Sequence, residues 1–287
     1  MTQEDSRRGS RGRAPRGDLA SFEKFSYSHG GRTHDVYRKG TGPVVMVITE
    51  MPGMSPYVLG FGDRIAAMGC TAVLPNLFGT AGRDPFAGSK LNLMGYGIKT
   101  LTQVCISREF TTFAIGKSSP VISWLRGLAH QEHERAGGPG VGVVGMCFTG
   151  GFALAMAVDA LVLAPVLSQP SLPTNIGKAR KRTIDTSDSD LAIVRGRCDA
   201  EGLKVLGLRF KGDPFVPGER FEFLREKLGD GFVGIELDQA DGHPDSEQPK
   251  HHSVLTGDLI DEPGEPTRDA LDQVLDLFRT KLLTPSP

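Results

Sequence analysis

The chain has 287 residues, 39% hydrophobic and 23% charged, the balance of a soluble globular protein that can bury a core. Its 33 Lys and Arg against 34 Asp and Glu leave a net charge of -1, which excludes a body built to bind polyanions. No run reaches the ~18 apolar residues of a membrane-spanning helix, and 7% aromatics with one Trp argue against a base-stacking surface.

Residues 1–20 read as a disordered, Arg-rich tail, because residues 6–16 (SRRGSRGRAPR) carry five arginines and nothing to bury. No apolar segment follows Arg7-Arg8, so the pair does not read as an export signal. Residues 44–49 (VVMVIT) then form a continuous apolar run of strand length, the kind buried on both faces of a parallel sheet. A helix is predicted at 57–68 and a strand at 71–74, followed after a long irregular stretch by a helix at 121–133. Gly137, Gly138, Pro139 and Gly140 break the chain before a strand at 141–146 and a helix at 152–158. Further strands are predicted at 161–167, 205–210 and 231–237, with helices at 217–228 and 268–283. Repeated β-loop-α units imply one α/β domain over 21–287, a mostly parallel central sheet with helices on both faces.

Cys70, Cys105, Cys147 and Cys198 are dispersed and form no CxxC pair, which argues against a zinc ribbon or a disulfide framework. Three of them read as buried thiols of a reducing compartment, and the chain as cytoplasmic. Cys147 is different. In residues 141–156 (VGVVGMCFTGGFALAM) an apolar strand ends in a glycine-flanked cysteine, and a small-residue helix follows at once. This is the layout of a nucleophile elbow with cysteine in place of serine. A sharp turn needs small neighbours, which Gly145, Gly150 and Gly151 supply, whereas Thr149 stands where the strict pattern has Gly. The helix N-terminus favours a thiolate, and the Phe148 amide would point into the site as an oxyanion donor. The alternative is a buried structural Cys at a tight turn.

Five motifs in order carry a resemblance: residues 45–53 (VMVITEMPG), 72–78 (AVLPNLF), 145–151 (GMCFTGG), 212–217 (GDPFVP) and 252–256 (HSVLT). Over residues 44–283 the chain resembles the dienelactone hydrolase family, cysteine-nucleophile members of the α/β-hydrolase fold. The resemblance makes Asp213, just after the predicted strand 205–210, the acid of a Cys-His-Asp triad; an Asx-type turn before Pro214 is the local alternative. Two histidines compete for the base. His252 is favoured because the residues after it match the family, although His243 lies nearer Asp213, 30 residues on against 39. Glu50 ends a buried strand, where a carboxylate is costly unless paired or working. The resemblance implies that Glu50 takes the proton of Cys147 when substrate binds and that the Met51 amide joins Phe148 in the oxyanion hole. A Glu50 bent out to solvent is the alternative.

A zinc site from His243, Asp245, His251 and His252 would be a sharper reading, but these residues lack i, i+4 helical spacing and have no Cys nearby. The family grips its substrate's carboxylate with arginines, one of them a few residues after the histidine, and residues 253–257 contain none. Arg83 falls near the place of the other. Residues 82–118 read as part of a substrate cover, with Phe86, Leu91, Leu93, Met94 and Tyr96 lining an apolar pocket or packing on the domain.

The expectation is thus a hydrolase of a carboxylic ester or lactone that forms an acyl-thioester, with no cofactor, no metal and no nucleic-acid or membrane partner. A non-catalytic small-molecule binder on the same fold is the rival. Substrate identity, and whether the chain is a monomer or homodimer, are left open by the sequence.

Overall fold

The computed structural model describes residues 12–85, 87, 119–172, 175, 177–246 and 248–284. Their strands are β1 (Glu23–His29), β2 (Arg32–Gly40), β3 (Val44–Ile48), β4 (Thr71–Pro75), β5 (Val141–Met146), β6 (Val162–Ser168), β7 (Val205–Phe210) and β8 (Phe232–Leu237). They form one sheet in the order β1-β2-β4-β3-β5-β6-β7-β8. β2 pairs antiparallel with both β1 and β4, and every pairing from β4 to β8 is parallel. The mostly parallel sheet expected from the sequence is present.

The helices are α1 (Pro56–Ala67), α2 (Val121–Ala136), α3 (Gly150–Met156), a short α4 (Lys178–Lys181), α5 (Asp188–Glu201), α6 (Gly218–Leu228) and α7 (Pro266–Phe278). Successive residues of a strand point to opposite faces, and both faces of β3 are apolar. Val44, Met46 and Ile48 belong to one apolar cluster with side chains of α2, α3, α5 and α6, whereas Val45 and Val47 belong to a second with side chains of α1 and α7. That two-sided burial is why residues 44–48 are an unbroken apolar run. Ser55 caps α1 by accepting from Val58 N at 3.4 Å, with Pro56 in the first turn.

Predicted elements stand in place with small displacements of their ends, and the C-terminal helix finishes in a π turn over Arg279–Leu283. The sequence reading lacked β1 and β2. β1 buries only Tyr27, so it carries no strong apolar pattern; its partner is reached through Gly30 and Gly31, both left-handed at φ 58° and 76°. It also did not name α5, whose buried residues are only Leu191, Val194 and Arg197.

The expected disordered tail over residues 1–20 is corrected from Gly12 onward. Arg13 bridges Ile260, Gly17 N donates to Pro56 O at 2.8 Å, and Ala14 is buried. Arg13 also donates to Tyr57 Oη and Asp245 O, and Arg16 pairs with Asp84. The arm attaches through backbone and guanidinium groups rather than an apolar stripe, so composition did not reveal it. Gly60 in α1 makes room: a Cβ there would lie 2.0 Å from Pro15 O. Residues 1–11 are outside the described residues. Among those described, no helix is long and apolar enough to cross a membrane.

Candidate active site

β5 delivers Met146 to the turn at Cys147, whose φ of 57° lies in the left-handed region. A non-glycine residue there costs about 1–2 kcal/mol and persists where its surroundings over-determine it. They do so here. A Cβ on Gly145 would sit 2.1 Å from Thr149 O, and one on Gly150 would sit 2.6 Å from Pro170 Cβ. Thr149, the departure from the strict pattern, is fully buried. Its hydroxyl accepts from Met146 N and donates toward Ile48 O, both at 2.9 Å, which ties the turn to β3. The chain then enters the first turn of α3, with the Phe148 ring against Phe152.

The parallel register does the rest of the assembly. Ile48 lies opposite Gly145 and Met146 opposite Ser168, so Glu50, Cys147 and Gln169 leave neighbouring strands at the same edge of the sheet. Asp213 follows β7 at that edge. Asp213 makes the local turn and also pairs with a histidine. Its Oδ1 accepts from Phe215 N at 2.8 Å, and its Oδ2 lies 2.6 Å from His252 Nδ1. Both residues of the pair are buried, at 3% and 6% exposure.

Burial by itself would depress the His252 pKa. The charge of Cys147 and hydrogen bonds with Asp213 and Cys147 outweigh it, and His252 stands well above the ordinary histidine value. The imidazole thus links the sulfur to the carboxylate. His243 and His251 serve the loop instead. Asp258 Oδ2 accepts from the backbone N–H of His252 and Ser253 at 2.7 and 2.8 Å, and its Oδ1 lies 3.0 Å from His251 Nδ1. His243 N donates to Asp258 O at 3.0 Å, and its Nδ1 accepts from Asp245 N at 3.2 Å. Burial would raise the Asp258 pKa, but the bonds from His251, Ser246, His252 and Ser253 bring it below the usual aspartate value. The loop is built around this carboxylate and presents His252 alone to Asp213.

Glu50 is buried but bonds away from the sulfur. Thr256 Oγ1 donates to its Oε1 at 2.6 Å, while Ser253 Oγ and Gln169 Nε2 donate to Oε2 at 2.8 and 3.0 Å. Burial raises the Glu50 pKa above the ordinary 4.5, against the hydrogen bond from Thr256, the charge of His252 and the bond from Ser253. A carboxyl whose folded pKa is raised holds its proton after the unfolded chain has lost it. Its contribution to stability therefore falls as pH climbs from 4.5 to the raised value. Glu50→Gln is expected to gain a few degrees of Tm relative to wild type as pH rises through that window, at about 2–4 °C per kcal/mol. Paired thermal melts from pH 4 to 8 check this, and a Tm difference that stays flat with pH would contradict it.

A family model described as the dienelactone hydrolase family matches residues 35–187, just over half of the chain. The chain belongs to the dienelactone hydrolase family. Solved structures agree on the fold of this family member. A Klebsiella pneumoniae protein assigned as a dienelactone hydrolase superposes with a TM-score of 0.55 at 16% identity, covering 90% of this chain and 97% of that one. A dienelactone hydrolase-like promiscuous phosphotriesterase from metagenomic libraries gives 0.51 at 16%, covering 91% and 98%. A cold-adapted esterase from an Arctic intertidal metagenomic library gives 0.54 at 13%, covering 93% and 97%. At these identities the likeness establishes the α/β-hydrolase fold alone. No curated protein matches the chain by sequence.

In this dienelactone hydrolase family member, Met51 is half-buried beside Glu50 and lines a cavity of about 40 Å³ together with Tyr57, Gln248 and Ser253. Arg83 is exposed and does not line that cavity. Phe86, Leu91, Leu93, Met94 and Tyr96, expected in a substrate cover, lie outside the described residues. A larger groove of about 320 Å³, beside Lys204, Val233 and Leu277, sits at the opposite end of β7 from Asp213.

Sequence reasoning passed over four residues. Ser171 N donates to Cys147 O at 2.9 Å, and its Oγ lies 3.1 Å from Cys147 Sγ. Gln169, left-handed at φ 36°, turns the chain out of β6 toward Glu50. Phe215, 51% exposed, sets its ring 5.6 Å from that of His252. Arg220 is fully buried, and its guanidinium donates to the carbonyls of Pro170 and Phe215 at 2.9 Å each and of Thr183 at 2.8 Å. It thereby ties the segment carrying Ser171 to the turn carrying Asp213, while burial pulls its pKa down to about 10. Polar residues directly after the buried strand 162–168 were the available signal for Gln169 and Ser171. Nothing local marks Arg220.

Proposed function

We propose that the chain hydrolyses a carboxylic ester or lactone through Cys147, His252 and Asp213, by way of an acyl-thioester. The observation that carries this reading is the line from the strained Cys147 turn through His252 to Asp213, with Nδ1 and Oδ2 at 2.6 Å. A structural cysteine at a tight turn needs no imidazole held by a buried carboxylate.

In this reading the resting site is a thiolate–imidazolium pair. The Cys147 sulfur attacks the carbonyl carbon, and the electron pair of the C=O bond moves to oxygen, where the Phe148 and Met51 amides receive it. Collapse expels the alkoxide, which takes the proton of His252 Nε2. The neutral imidazole then accepts a proton from water as the water oxygen attacks the thioester, and the thiolate departs. His252 is imidazolium again, and the acid is released. Asp213 keeps Nδ1 protonated and stabilises the imidazolium throughout.

The three donors on Glu50 alter the part the resemblance gave it. With the thiolate already paired to His252, Glu50 serves as a second carboxylate favouring the imidazolium and not as the proton acceptor for sulfur. A neutral ester is as suitable as a carboxylate-bearing lactone, because residues 253–257 carry no arginine to grip a carboxylate.

The test is intact mass after brief mixing with an activated ester. A transient acyl adduct mapped to Cys147, with continuing release of acid, is the expected result. Absence of adduct and turnover across several acyl sizes and lactones would favour the small-molecule binder.

A further inference from the structure

We propose that Ser171 is a further catalytic residue, whose hydroxyl donates a hydrogen bond to the Cys147 sulfur and holds it as the nucleophilic thiolate. The inference rests on the reading of Cys147 as the nucleophile. It starts from the 3.1 Å between Ser171 Oγ and Cys147 Sγ. A hydroxyl beside a thiol can donate or accept, but beside a thiolate it can only donate, because the sulfur has no proton left.

The position of Ser171 is held from several directions. Its backbone N–H donates to Cys147 O at 2.9 Å, so the two residues are joined by a main-chain and a side-chain contact. One residue earlier, Pro170 O accepts from Arg220 at 2.9 Å, and the Pro170 ring occupies the space left by the missing side chain of Gly150. Before that, Gln169 N donates to Leu208 O at 2.7 Å. Ser171 is 6% exposed, so its hydroxyl is largely withdrawn from water and needs a partner inside the protein. Cys147 Sγ is the partner of that hydroxyl among the described residues.

Chemistry at the sulfur calls for such a donor. An ordinary thiol titrates near 8.5 and is mostly protonated at neutral pH. The imidazolium of His252 offsets part of this, and a hydroxyl donor adds to it without carrying charge. Ser171 keeps its proton through every step. As the sulfur–carbon bond forms, negative charge leaves sulfur for the carbonyl oxygen and the Ser171 bond weakens. When water expels the thiolate from the acyl-thioester, the bond strengthens again and assists the leaving group. No proton, electron pair or co-reactant beyond those of the hydrolysis is required.

The experiment is the pH dependence of Cys147 alkylation by iodoacetamide, with the modified peptide identified by mass, in wild type, Ser171→Ala and Ser171→Thr. Loss of one charge-assisted bond is expected to raise the midpoint in Ser171→Ala by about one pH unit. The plateau rate at high pH is expected to rise about 2–3-fold, because a more basic thiolate is the stronger nucleophile. Ser171→Thr keeps the hydroxyl and is expected to keep the midpoint. An unchanged midpoint in Ser171→Ala overturns the proposal, as does a plateau that falls with the midpoint fixed, the mark of a merely structural role. If the alanine variant does not fold, Ser171→Thr and Ser171→Val, equal in shape and differing in the hydroxyl, replace it; equal midpoints would then overturn the proposal. A shifted midpoint in a protein that forms no acyl adduct would retire the hydrolase reading, and with it the catalytic role of Ser171, and leave only its hydrogen bond to the Cys147 thiolate.

Discussion

If Cys147 is the covalent nucleophile of the proposed mechanism, Cys147→Ala is expected to lower kcat/KM for an activated ester by on the order of 10⁴-fold or more, since only binding and oxyanion stabilisation are left. Ser171 offers no substitute, because its hydroxyl has no base of its own. Cys147→Ser is expected to be nearly as impaired. A serine hydroxyl is far less acidic than a thiol, so its attack requires a proton removal that the resting pair of the proposed mechanism does not. In Cys147→Ser the sulfur's charge is gone and burial works unopposed by it, so the His252 pKa is expected to fall. Single-turnover and steady-state assays of the three proteins check this. An alanine variant that keeps a tenth of the activity would remove the sulfur from the chemistry.

Asp213→Asn is expected to cost about 10³- to 10⁴-fold in kcat with the fold retained. The retained fold follows from Asp213 Oδ1, which accepts from Phe215 N at 2.8 Å, a bond an asparagine oxygen can keep. What is lost is the carboxylate 2.6 Å from His252 Nδ1. An amide NH₂ in its place would present a donor to Nδ1 and favour the tautomer with the proton on Nε2, the wrong one for a base. The imidazolium would also lose a countercharge, so the alkaline limb of kcat/KM, where the free enzyme loses the imidazolium proton, is expected to move to lower pH. His243→Ala is the matched control. Its ring accepts from Asp245 N and its backbone meets Asp258, so the expected change is in stability, with kcat near wild type. Loss of kcat in His243→Ala with Asp213→Asn unaffected would reverse the assignment of the base.

Much of this was legible in the chain. Runs such as residues 141–146 are apolar without alternation because both faces of the sheet are covered, and with their strand length and the glycine breaks beside them they mark buried parallel strands. The turn at Cys147 was legible for a steric reason: a strand meeting a helix at a left-handed residue tolerates only glycine at 145 and 150, and the sequence has it there. Local patterns were silent where the contacts are neither periodic nor apolar. The arm from Gly12 attaches by backbone and arginine groups, and β1 buries a single side chain, so neither left a hydrophobic signature.

Tertiary structure decided which polar groups meet. His243 and His252 are both buried in one loop, and chain spacing favours His243; only the fold of that loop around Asp258 sets the His252 ring against Asp213. Glu50 was expected to work beside Cys147 when substrate binds; that its hydrogen bonds come from Gln169, Ser253 and Thr256, more than a hundred residues away, is visible only in the fold. Ser171 meets Cys147 because β5 and β6 end side by side. Hydrophobic burial follows the period of the chain and can be read from it. Hydrogen bonds between distant side chains depend on distances of a few ångströms that exist only once the sheet has set its register.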